Sequence, residues 1–257
     1  MPRLFIVVPV FNEALNIDAL FDAFRSLANE LSSDFSVSFV LVDDGSSDDT
    51  AKLAQQAAGS LDLSVLQHDV NKGPGVAFAT GFTYLADRLS PNDWVITMEG
   101  DNTSRHELVK QMLVRTREGF DIVLASPYMY GGGFTQTSLL RKFLSSGANL
   151  LVKDILGIQG ILTVSSFFRL YRSDALLRMQ QVFGPGILER AGFESMVEMV
   201  MKMAMLRFSI SEVAMQLDSS RRRGKSKMKI FRTIRGYLSL WHSKDKWLAQ
   251  VQKRNVR

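Results

Sequence analysis

The chain has 257 residues, of which 46% are hydrophobic and 22% charged, the balance of an ordinary globular protein. This length is enough for one well-packed domain with an appendage. Cysteine is absent, which excludes both a disulfide framework and a thiolate metal site and is compatible with the cytoplasm. The apolar run Leu4 to Phe11 is too short for a membrane span, which needs about 20 residues.

The net charge of +5 is distributed unevenly along the chain. Residues 221 to 257 contain 13 lysines and arginines and a single acid, Asp245, so this segment carries +12 and the rest carries −7. Such a separation predicts that the C-terminal segment meets an anionic surface. The alternative interpretation is a solvated helix face.

Strands and helices alternate along the first half of the chain. Apolar and β-branched runs predict strands at 4–10, 37–42, 62–67, 93–98 and 122–125. Helical periodicity predicts helices at 16–31, 48–58, 74–89 and from about 104 onward, and Ser46 with Asp49 has the spacing of a capping box. Five such alternations predict an α/β fold with an open, mostly parallel, doubly wound sheet.

The pattern changes after the glycines at 131 to 133. It predicts a helix at 138–155, a strand at 165–171, a helix opening near Gly192 and a last strand at 208–216. The methionine-rich stretch from Met196 to Phe208 is predicted to be a buried helix. We interpret these elements as C-terminal additions to one catalytic domain, residues 1–220, followed by a basic amphipathic segment, residues 221–257.

Polar clusters follow the predicted strands of the first half. They are Pro9 to Glu13, Asp43 to Ser46, Asn71 to Gly73, and Glu99 to Asp101. In an open α/β sheet, ligands bind outside the carboxyl ends of the strands, so these clusters predict one crevice. Each acid could instead be a helix cap, but several acids gathered at one edge favour a site that binds a cation.

The triplet Glu99-Gly100-Asp101 carries the most chemistry of these clusters. In an extended segment, residues i and i+2 point the same way, so both carboxylates can face one divalent ion and its phosphates. Oxygen ligands suit Mg²⁺ or Mn²⁺. Gly100 is predicted to allow a ligand to approach the backbone closely.

Five segments, together with this acidic triplet, resemble a known family. They are VVPVFNE (7–13), VDDGSSDDT (42–50), NKGPGVAFATGF (71–82), SFFRLYRSDAL (166–176) and RRRGKSKM (221–228). Over roughly its first 220 residues the chain resembles the family-2 inverting glycosyltransferases, which have the Rossmann-like GT-A fold. The last segment is similar to one in polyprenyl-phosphate sugar transferases, the dolichyl-phosphate mannose synthase branch.

The resemblance implies a metal-dependent transfer from a nucleotide-sugar donor, and it assigns roles to particular residues. Asp101 would ligate the metal, and Glu99 would lie against the ribose or the donor sugar, with metal contact as a second possibility. Arg169 would face the phosphates. The nucleoside would be cradled near Pro9, Phe11, Glu13, Asp43 and Asp44, with Asp44 at the base and Lys72 at the base or diphosphate. The residues that would close over and bind the diphosphate or the acceptor phosphate are Arg221, Arg223, Ser226 and Lys227.

Three positions depart from the family pattern. Glu99 stands where the family usually has aspartate, Phe167 replaces a glycine, and Thr163 replaces an aspartate. The changes at Phe167 and Thr163 predict a different acceptor pocket. The QxxRW segment of processive polysaccharide synthases is absent, which argues against chain polymerisation.

The acceptor decides whether a general base is needed. A lipid phosphate is already anionic near neutral pH, whereas a glycan or small-molecule hydroxyl must lose a proton, for which Glu194 is the candidate. Glu198 has Lys202 four residues on, the spacing of a surface ion pair. A non-catalytic module that binds nucleotide sugars or anionic lipid is the other class of function. No nucleic-acid partner is expected.

The basic segment also contains an apolar helical face. It comprises Ile230, Phe231, Ile234, Tyr237, Leu238 and Trp241. With Trp241 and Trp247 as interfacial anchors, this pattern predicts a helix that lies on an anionic membrane, making the protein peripheral on the cytoplasmic face. The alternative is that the face packs against the domain or a second subunit.

Overall fold

The computed structural model describes residues 1–103, 105–135, 149–150, 153, 157–221, 223 and 230–255. Most of the helix predicted at 138–155 lies outside these residues, as do Ser226 and Lys227.

The strands, in chain order, are β1 (Arg3–Val10), β2 (Ser36–Asp43), β3 (Asp62–Gln67), β4 (Trp94–Thr97), β5 (Ile122–Ser126), β6 (Gly133–Thr135), β7 (Arg169–Arg172), β8 (Ile210–Ala214) and β9 (Gln216–Asp218). Within the described chain, seven form one sheet in the order β3-β2-β1-β4-β7-β5-β8, and β6 pairs with β9. All neighbours in the large sheet are parallel except β7, which runs antiparallel to β4 and β5. The predicted open, mostly parallel sheet is confirmed.

The helices are α1 (Ile17–Leu31), α2 (Thr50–Ala57), α3 (Pro74–Leu85), α4 (Leu108–Arg117), α5 (Ser173–Phe183), α6 (Ser195–Met205), α7 (Ile230–Leu240) and α8 (Lys244–Asn255). Side chains of α1, α2 and α4 form a hydrophobic core on one face of the sheet. Those of α3, α5, α6 and α8 form the core on the other face. Side chains of β1 alternate between the two cores, which explains why its sequence is apolar throughout.

Several local predictions were wrong in detail. The helix expected near residue 104 begins at Leu108, and α5, which the sequence pattern did not predict, follows β7 directly. The capping box does not form, because Asp49 makes no side-chain cap bond and the Ser46 hydroxyl donates to Asp43 instead. The strand predicted at 208–216 is divided into β8 and β9.

The C-terminal segment packs on the domain. Trp247 of α8 is 0% exposed, and its indole Nε1 donates to Glu189 Oε1 over 3.1 Å. Leu240 and Trp247 belong to the same core as α3 and α6. The interpretation of Trp247 as a membrane anchor is therefore wrong, and the boundary at residue 220 does not separate α8 from the domain. Trp241, in contrast, is 53% exposed.

No helix in the described part of the chain is long and apolar enough to cross a bilayer.

Candidate functional site

The carboxyl ends of β1, β2 and β4 lie side by side in the centre of the sheet. The backbone N–H of Asp44 donates to the Val10 carbonyl over 2.9 Å, and that of Met98 donates to the Val7 carbonyl over 3.2 Å. These bonds bring together three of the predicted polar clusters, so the crevice has Pro9 to Glu13 at its centre, between the Asp43 and Glu99 clusters.

The buried side chain of Asp43 holds the loop after β1 in place through Ser46. The carboxylate is fully buried, and its Oδ1 accepts from the backbone N–H and the hydroxyl of Ser46. The Ser46 hydroxyl in turn accepts from the backbone N–H of Asn12 over 2.8 Å, and Asn12 holds a left-handed backbone with φ 52°. Asp43 thus acts within the protein, by fixing the loop between Phe11 and Glu13.

Asp44 has four hydrogen-bond donors within the protein. Its carboxylate accepts from His68 Nδ1 at 2.7 Å, Asn71 Nδ2 at 3.0 Å, and the backbone N–H groups of Lys72 at 2.9 Å and Gly73 at 2.8 Å. A carboxylate has about four acceptor sites, so these bonds occupy it. The structure therefore directs Asp44 at the 71–73 loop rather than at a base, while the side chain of Lys72 is exposed.

His68 is part of this arrangement, although sequence reasoning gave it no role. His68 is 9% exposed, and its Nε2 lies 2.9 Å from the Thr80 hydroxyl of α3. His68 thus links Asp44 to α3 through two side-chain bonds. The signal that could have found it is its position directly after β3, at the same edge of the sheet as Asp44.

The acidic triplet lies against β1. A Cβ at Gly100 would stand 2.5 Å from Val10 Cγ1 and 3.2 Å from the Pro9 carbonyl oxygen, so glycine is required by the protein's own packing. The sequence predicts instead that close approach of a ligand requires this glycine. Asp101 is 8% exposed, and its Oδ1 accepts from the backbone N–H and hydroxyl of Thr103 at 3.0 and 2.6 Å.

The triplet suits a metal ion that shares its coordination with phosphates. The described residues contain no group of three or more acids and histidines able to hold a metal. Two carboxylates at one edge of the crevice match Mg²⁺ or Mn²⁺, because such ions are usually bound through one or two carboxylates, substrate phosphates and water. Asp101 is anchored by Thr103, and Glu99, two residues earlier, is half-buried. Residues 100 and 101 form a turn, so the extended segment that the sequence predicts across the triplet is not observed.

Arg169 does not face the crevice as we had expected. It is 0% exposed on β7, and its guanidinium donates to the carbonyls of Ser166 at 2.6 Å and of Val164 and Met196 at 3.0 Å each. Burial lowers the pKa of the Arg169 guanidinium, and the neighbouring Tyr171 and Glu99 oppose that shift. Its contacts join β7 to the start of α6, which is a structural role.

Glu194 lies at the start of α6, half-buried between the chain at Gly192 and helix α7. The backbone N–H of Gly192 donates to Glu194 Oε1 over 3.3 Å, and a Cβ at Gly236 would stand 2.8 Å from Glu194 Cδ. Burial, and then the charge of Glu194, raises the pKa of Tyr237 to about 12. Tyr237 is therefore a neutral phenol at physiological pH, next to the carboxylate.

Glu198 and Lys202 form a buried ion pair rather than the surface pair we had expected. Both side chains are 0% exposed, and Lys202 Nζ lies 2.6 Å from Glu198 Oε1. Burial lowers the pKa of Lys202, and Glu198 opposes the shift. Glu198 also accepts the backbone N–H groups of Glu189 at 2.8 Å and Arg190 at 2.9 Å. The pair holds the 187–190 loop against α6.

The basic segment begins beside the crevice. Arg221 ends a short 3-10 helix, Ser219–Arg221, and is exposed. The backbone N–H and carbonyl of Arg223 both pair with the side chain of Asn16 at 3.0 Å, and Asn16 also donates to the Glu13 carboxylate. Of the four residues predicted to close over phosphate, the structure thus describes Arg221 and Arg223, and it places the backbone of Arg223 next to Glu13.

Residues 5–179 match the model of the Glycosyl transferase family 2. The chain belongs to this family. Membership of this family supports a glycosyltransferase rather than a non-catalytic binding module.

Curated relatives of this glycosyltransferase are named as a dolichol-phosphate mannosyltransferase and a polyprenol monophosphomannose synthase. It is 27% identical over 253 residues to a dolichol-phosphate mannosyltransferase of Pyrococcus furiosus, covering 98% of this chain and 66% of that one. It is 25% identical over 228 residues to a polyprenol monophosphomannose synthase of Mycolicibacterium smegmatis, covering 88% and 81%. The chain thus spans slightly less than two thirds of the Pyrococcus protein.

Solved structures confirm the GT-A fold of the glycosyltransferase. Glucosyl-3-phosphoglycerate synthase from Mycobacterium tuberculosis, in complex with Mn²⁺, uridine-diphosphate-glucose and glycerol 3-phosphate, superposes with a TM-score of 0.63 at 15% identity. The match covers 93% of this chain and 80% of that one. At that identity the likeness concerns the fold.

Proposed function

We propose that this glycosyltransferase transfers a sugar from a nucleoside-diphosphate donor to a polyprenyl phosphate, with Mg²⁺ or Mn²⁺ bound at Asp101. The observation that carries the proposal is the meeting of the basic segment with the donor crevice, where Arg223 is paired to Asn16 beside Glu13. Both substrates are anionic, and a cationic segment at this position suits a second phosphate. The names of the curated relatives, which are lipid-phosphate sugar transferases, support the same acceptor.

The reaction is a single in-line displacement. An oxygen of the acceptor phosphate attacks the anomeric carbon as the bond between that carbon and the diphosphate oxygen breaks, and the configuration inverts. A divalent ion would neutralise the charge that develops on the departing nucleoside diphosphate. The loops held by Asp43 and Asp44 would bind the nucleoside, Glu99 would position the ribose or sugar, and Arg221 and Arg223 would hold the acceptor phosphate together with Ser226 and Lys227.

Donor binding is tested by thermal unfolding with a panel of nucleoside-diphosphate sugars, each with and without Mn²⁺. A ligand that binds only the folded state raises the unfolding midpoint. We expect one donor to do so in the presence of the metal and to lose most of the effect with a chelator. Stabilisation by none of the nucleotide sugars would contradict the donor class.

Transfer to a hydroxyl is the second candidate, because Glu194 stands half-buried at the start of α6 beside the neutral Tyr237. Glu194→Gln separates the two acceptors. A general base contributes about 100-fold or more to a rate, so this variant should abolish most transfer to a hydroxyl. Transfer to a phosphate should change by less than about fivefold, since an ionised phosphate needs no base.

We further propose that the enzyme binds peripherally to the anionic cytoplasmic face of a membrane through its C-terminal segment. Residues 221 to 257 carry 13 lysines and arginines, and Leu238 and Trp241, three positions apart on the surface, are 50% and 53% exposed. Each basic residue near an anionic surface contributes about 1 kcal/mol, and salt screens it.

Vesicle co-sedimentation tests this binding. We expect sedimentation with anionic vesicles that decreases as salt rises, little with neutral vesicles, and a clear reduction in Trp241→Ser. Lys110→Ser is the control, since it removes an exposed cation of α4, which packs on the opposite face of the sheet from α8. Equal binding to neutral and anionic vesicles would contradict the proposal.

A further inference from the structure

Asn16 joins three distant parts of the chain. It ends the 3-10 helix Ala14–Asn16, directly before α1, and is 1% exposed. Its side chain donates to the Glu13 carboxylate and pairs with the backbone of Arg223, 207 positions along the chain. Its backbone carbonyl accepts from Asn102 Nδ2 over 3.1 Å. Asn102 follows the acidic triplet, so the donor loop, the triplet and the basic segment all meet at one residue.

The chemistry of a primary amide suits this position. The amide has two N–H donors and one carbonyl oxygen. One N–H bonds to Glu13, the other bonds to the Arg223 carbonyl, and the oxygen accepts from the Arg223 N–H. The two bonds to Arg223 resemble a rung of a β-ladder, so they hold the main chain whatever side chain it carries. Aspartate has the same shape but loses both donors and would place a second negative charge at Glu13.

We propose that Asn16 is a positioning residue that ties the basic C-terminal segment to the donor crevice. By holding the main chain of Arg223 beside Glu13, and by contacting Asn102, it fixes the distance between the cationic segment and Asp101. The donor loop, the triplet and the segment then move as one unit. The catalytic consequence rests on the transfer proposed above, whereas the tether itself does not depend on it.

Hydrogen exchange tests the tether in the ligand-free protein. The variant is Asn16→Asp, and the matched control is Asn29→Asp, the same change at an exposed position of α1. Asn16→Asp loses the N–H donors to the Arg223 carbonyl and to Glu13 and places a second negative charge beside Glu13, so its side chain should turn away and release Arg223. Exchange of the Arg223 amide should then accelerate about tenfold, while Asn29→Asp exchanges like the unmodified protein. Equal exchange in the two variants would overturn the tether.

A second pair of variants leaves Asn16 intact, so it does not depend on how Asn16→Asp folds. Arg223→Ala and Arg223→Pro both remove the guanidinium, but only proline also removes the N–H that bonds to Asn16. We expect kcat to be about tenfold lower in Arg223→Pro than in Arg223→Ala, with the KM for the donor unchanged. Equal kcat values would overturn the positioning role.

The two experiments separate this inference from the proposed function. If the unmodified enzyme glycosylates no polyprenyl phosphate, the proposed acceptor is wrong, and the exchange rates still decide whether the tether exists. The kcat comparison is then made on metal-dependent donor hydrolysis. Faster exchange in Asn16→Asp together with unaltered turnover would show a tether without a catalytic purpose and would overturn the proposal.

Discussion

Thr103 holds the Asp101 carboxylate in place through two hydrogen bonds. The negative charge of this carboxylate is the property that would bind a metal. Asp101→Ala should lower kcat by about 100-fold or more, because the leaving diphosphate loses its counter-charge. Glu99→Asp should cost less than about tenfold, since it shortens the side chain by one methylene and retains the carboxylate. Steady-state kinetics at saturating Mn²⁺ measures both effects.

Asp101→Asn is the matched control for local structure. Its amide oxygen can still accept from the backbone and hydroxyl of Thr103, so the unfolding temperature should stay close to that of the unmodified enzyme. Turnover should nevertheless fall as far as in Asp101→Ala. An active Asp101→Asn would mean that charge at this position is not required.

Substitution of Asp44 should affect stability and nucleotide binding rather than the chemical step. In Asp44→Asn, the amide nitrogen would face N–H donors that now bond to a carboxylate, and the expected loss of stability is about 1–3 kcal/mol. The 71–73 loop should loosen, and affinity for the nucleoside diphosphate should fall about tenfold. Calorimetric titration of the nucleotide and urea unfolding measure the two effects.

Asp49→Asn is the comparison for that experiment. Asp49 is exposed at the start of α2 and makes no side-chain cap bond, so its substitution should alter neither quantity measurably. Unchanged nucleotide affinity in Asp44→Asn would show that the 71–73 loop lies outside the donor site.

At this scale the sequence predicts where the acids lie but not what they contact. Asp43, Asp44 and Asp101 follow strands, and the topology of a parallel sheet alone gathers them at one edge. The partner of Asp44 is a histidine 24 positions away, and that pairing depends on side-chain geometry that strand positions do not specify. The prediction that Arg169 faces the phosphates fails for the same reason. Side chains of a β-strand alternate between its two faces, and the motif does not specify which face is buried by other elements.

Among the elements, α8 differs most from its prediction. Lys202 Nζ lies over the Trp247 ring, 4.7 Å from its centroid, and Glu189 accepts from the indole. Trp247→Ala should therefore destabilise the whole domain by about 3–5 kcal/mol, because it opens a cavity and unpairs Glu189. Urea unfolding followed by circular dichroism measures this loss.

The neighbouring tryptophan provides the control. Trp241 is 53% exposed, so Trp241→Ala should change the free energy of unfolding by about 0.5 kcal/mol or less. Similar small effects for both substitutions would contradict the packing of α8 on α5 and α6.

An apolar helical face does not identify its partner. The periodicity that predicts a membrane-lying helix also predicts one that packs on a protein core, because both environments remove the same side chains from water. Here the buried Lys202 decides for α8, since its charge needs Glu198 and Glu189 and its ammonium group lies over the ring of Trp247. None of these contacts is visible in the local sequence.

On the scale of the whole molecule, strand and helix alternation predicts β1 to β5 and the class of the fold. It does not predict that β7 inserts between β4 and β5 with the opposite direction, because that order depends on pairing between residues far apart, such as Thr97 with Arg169. The polar contents of the site come from the first half of the sheet, which the sequence describes well. The proposed acceptor side lies at the later elements, for which the sequence pattern is weaker.

The molecule also separates its charges in a way that suits two anionic substrates. The first 220 residues carry −7, with Glu13, Asp43, Asp44, Glu99 and Asp101 at the crevice, and the last 37 carry +12. A metal ion would balance the acids and the diphosphate, whereas the basic segment, tied in at Asn16, would face the acceptor phosphate. This arrangement predicts that the acceptor must be charged.

A direct comparison of polyprenyl phosphate with the corresponding polyprenol tests that claim, since the two acceptors differ only in the phosphate. Each is incubated with Mn²⁺ and the donor identified by thermal unfolding, and the product is detected by mass spectrometry. We predict a sugar-phosphate-lipid of inverted anomeric configuration from polyprenyl phosphate, none from polyprenol, and none from either with Asp101→Ala. Glycosylation of polyprenol would contradict transfer to a lipid phosphate. Glycosylation of a sugar hydroxyl, with neither lipid modified, would contradict it as well.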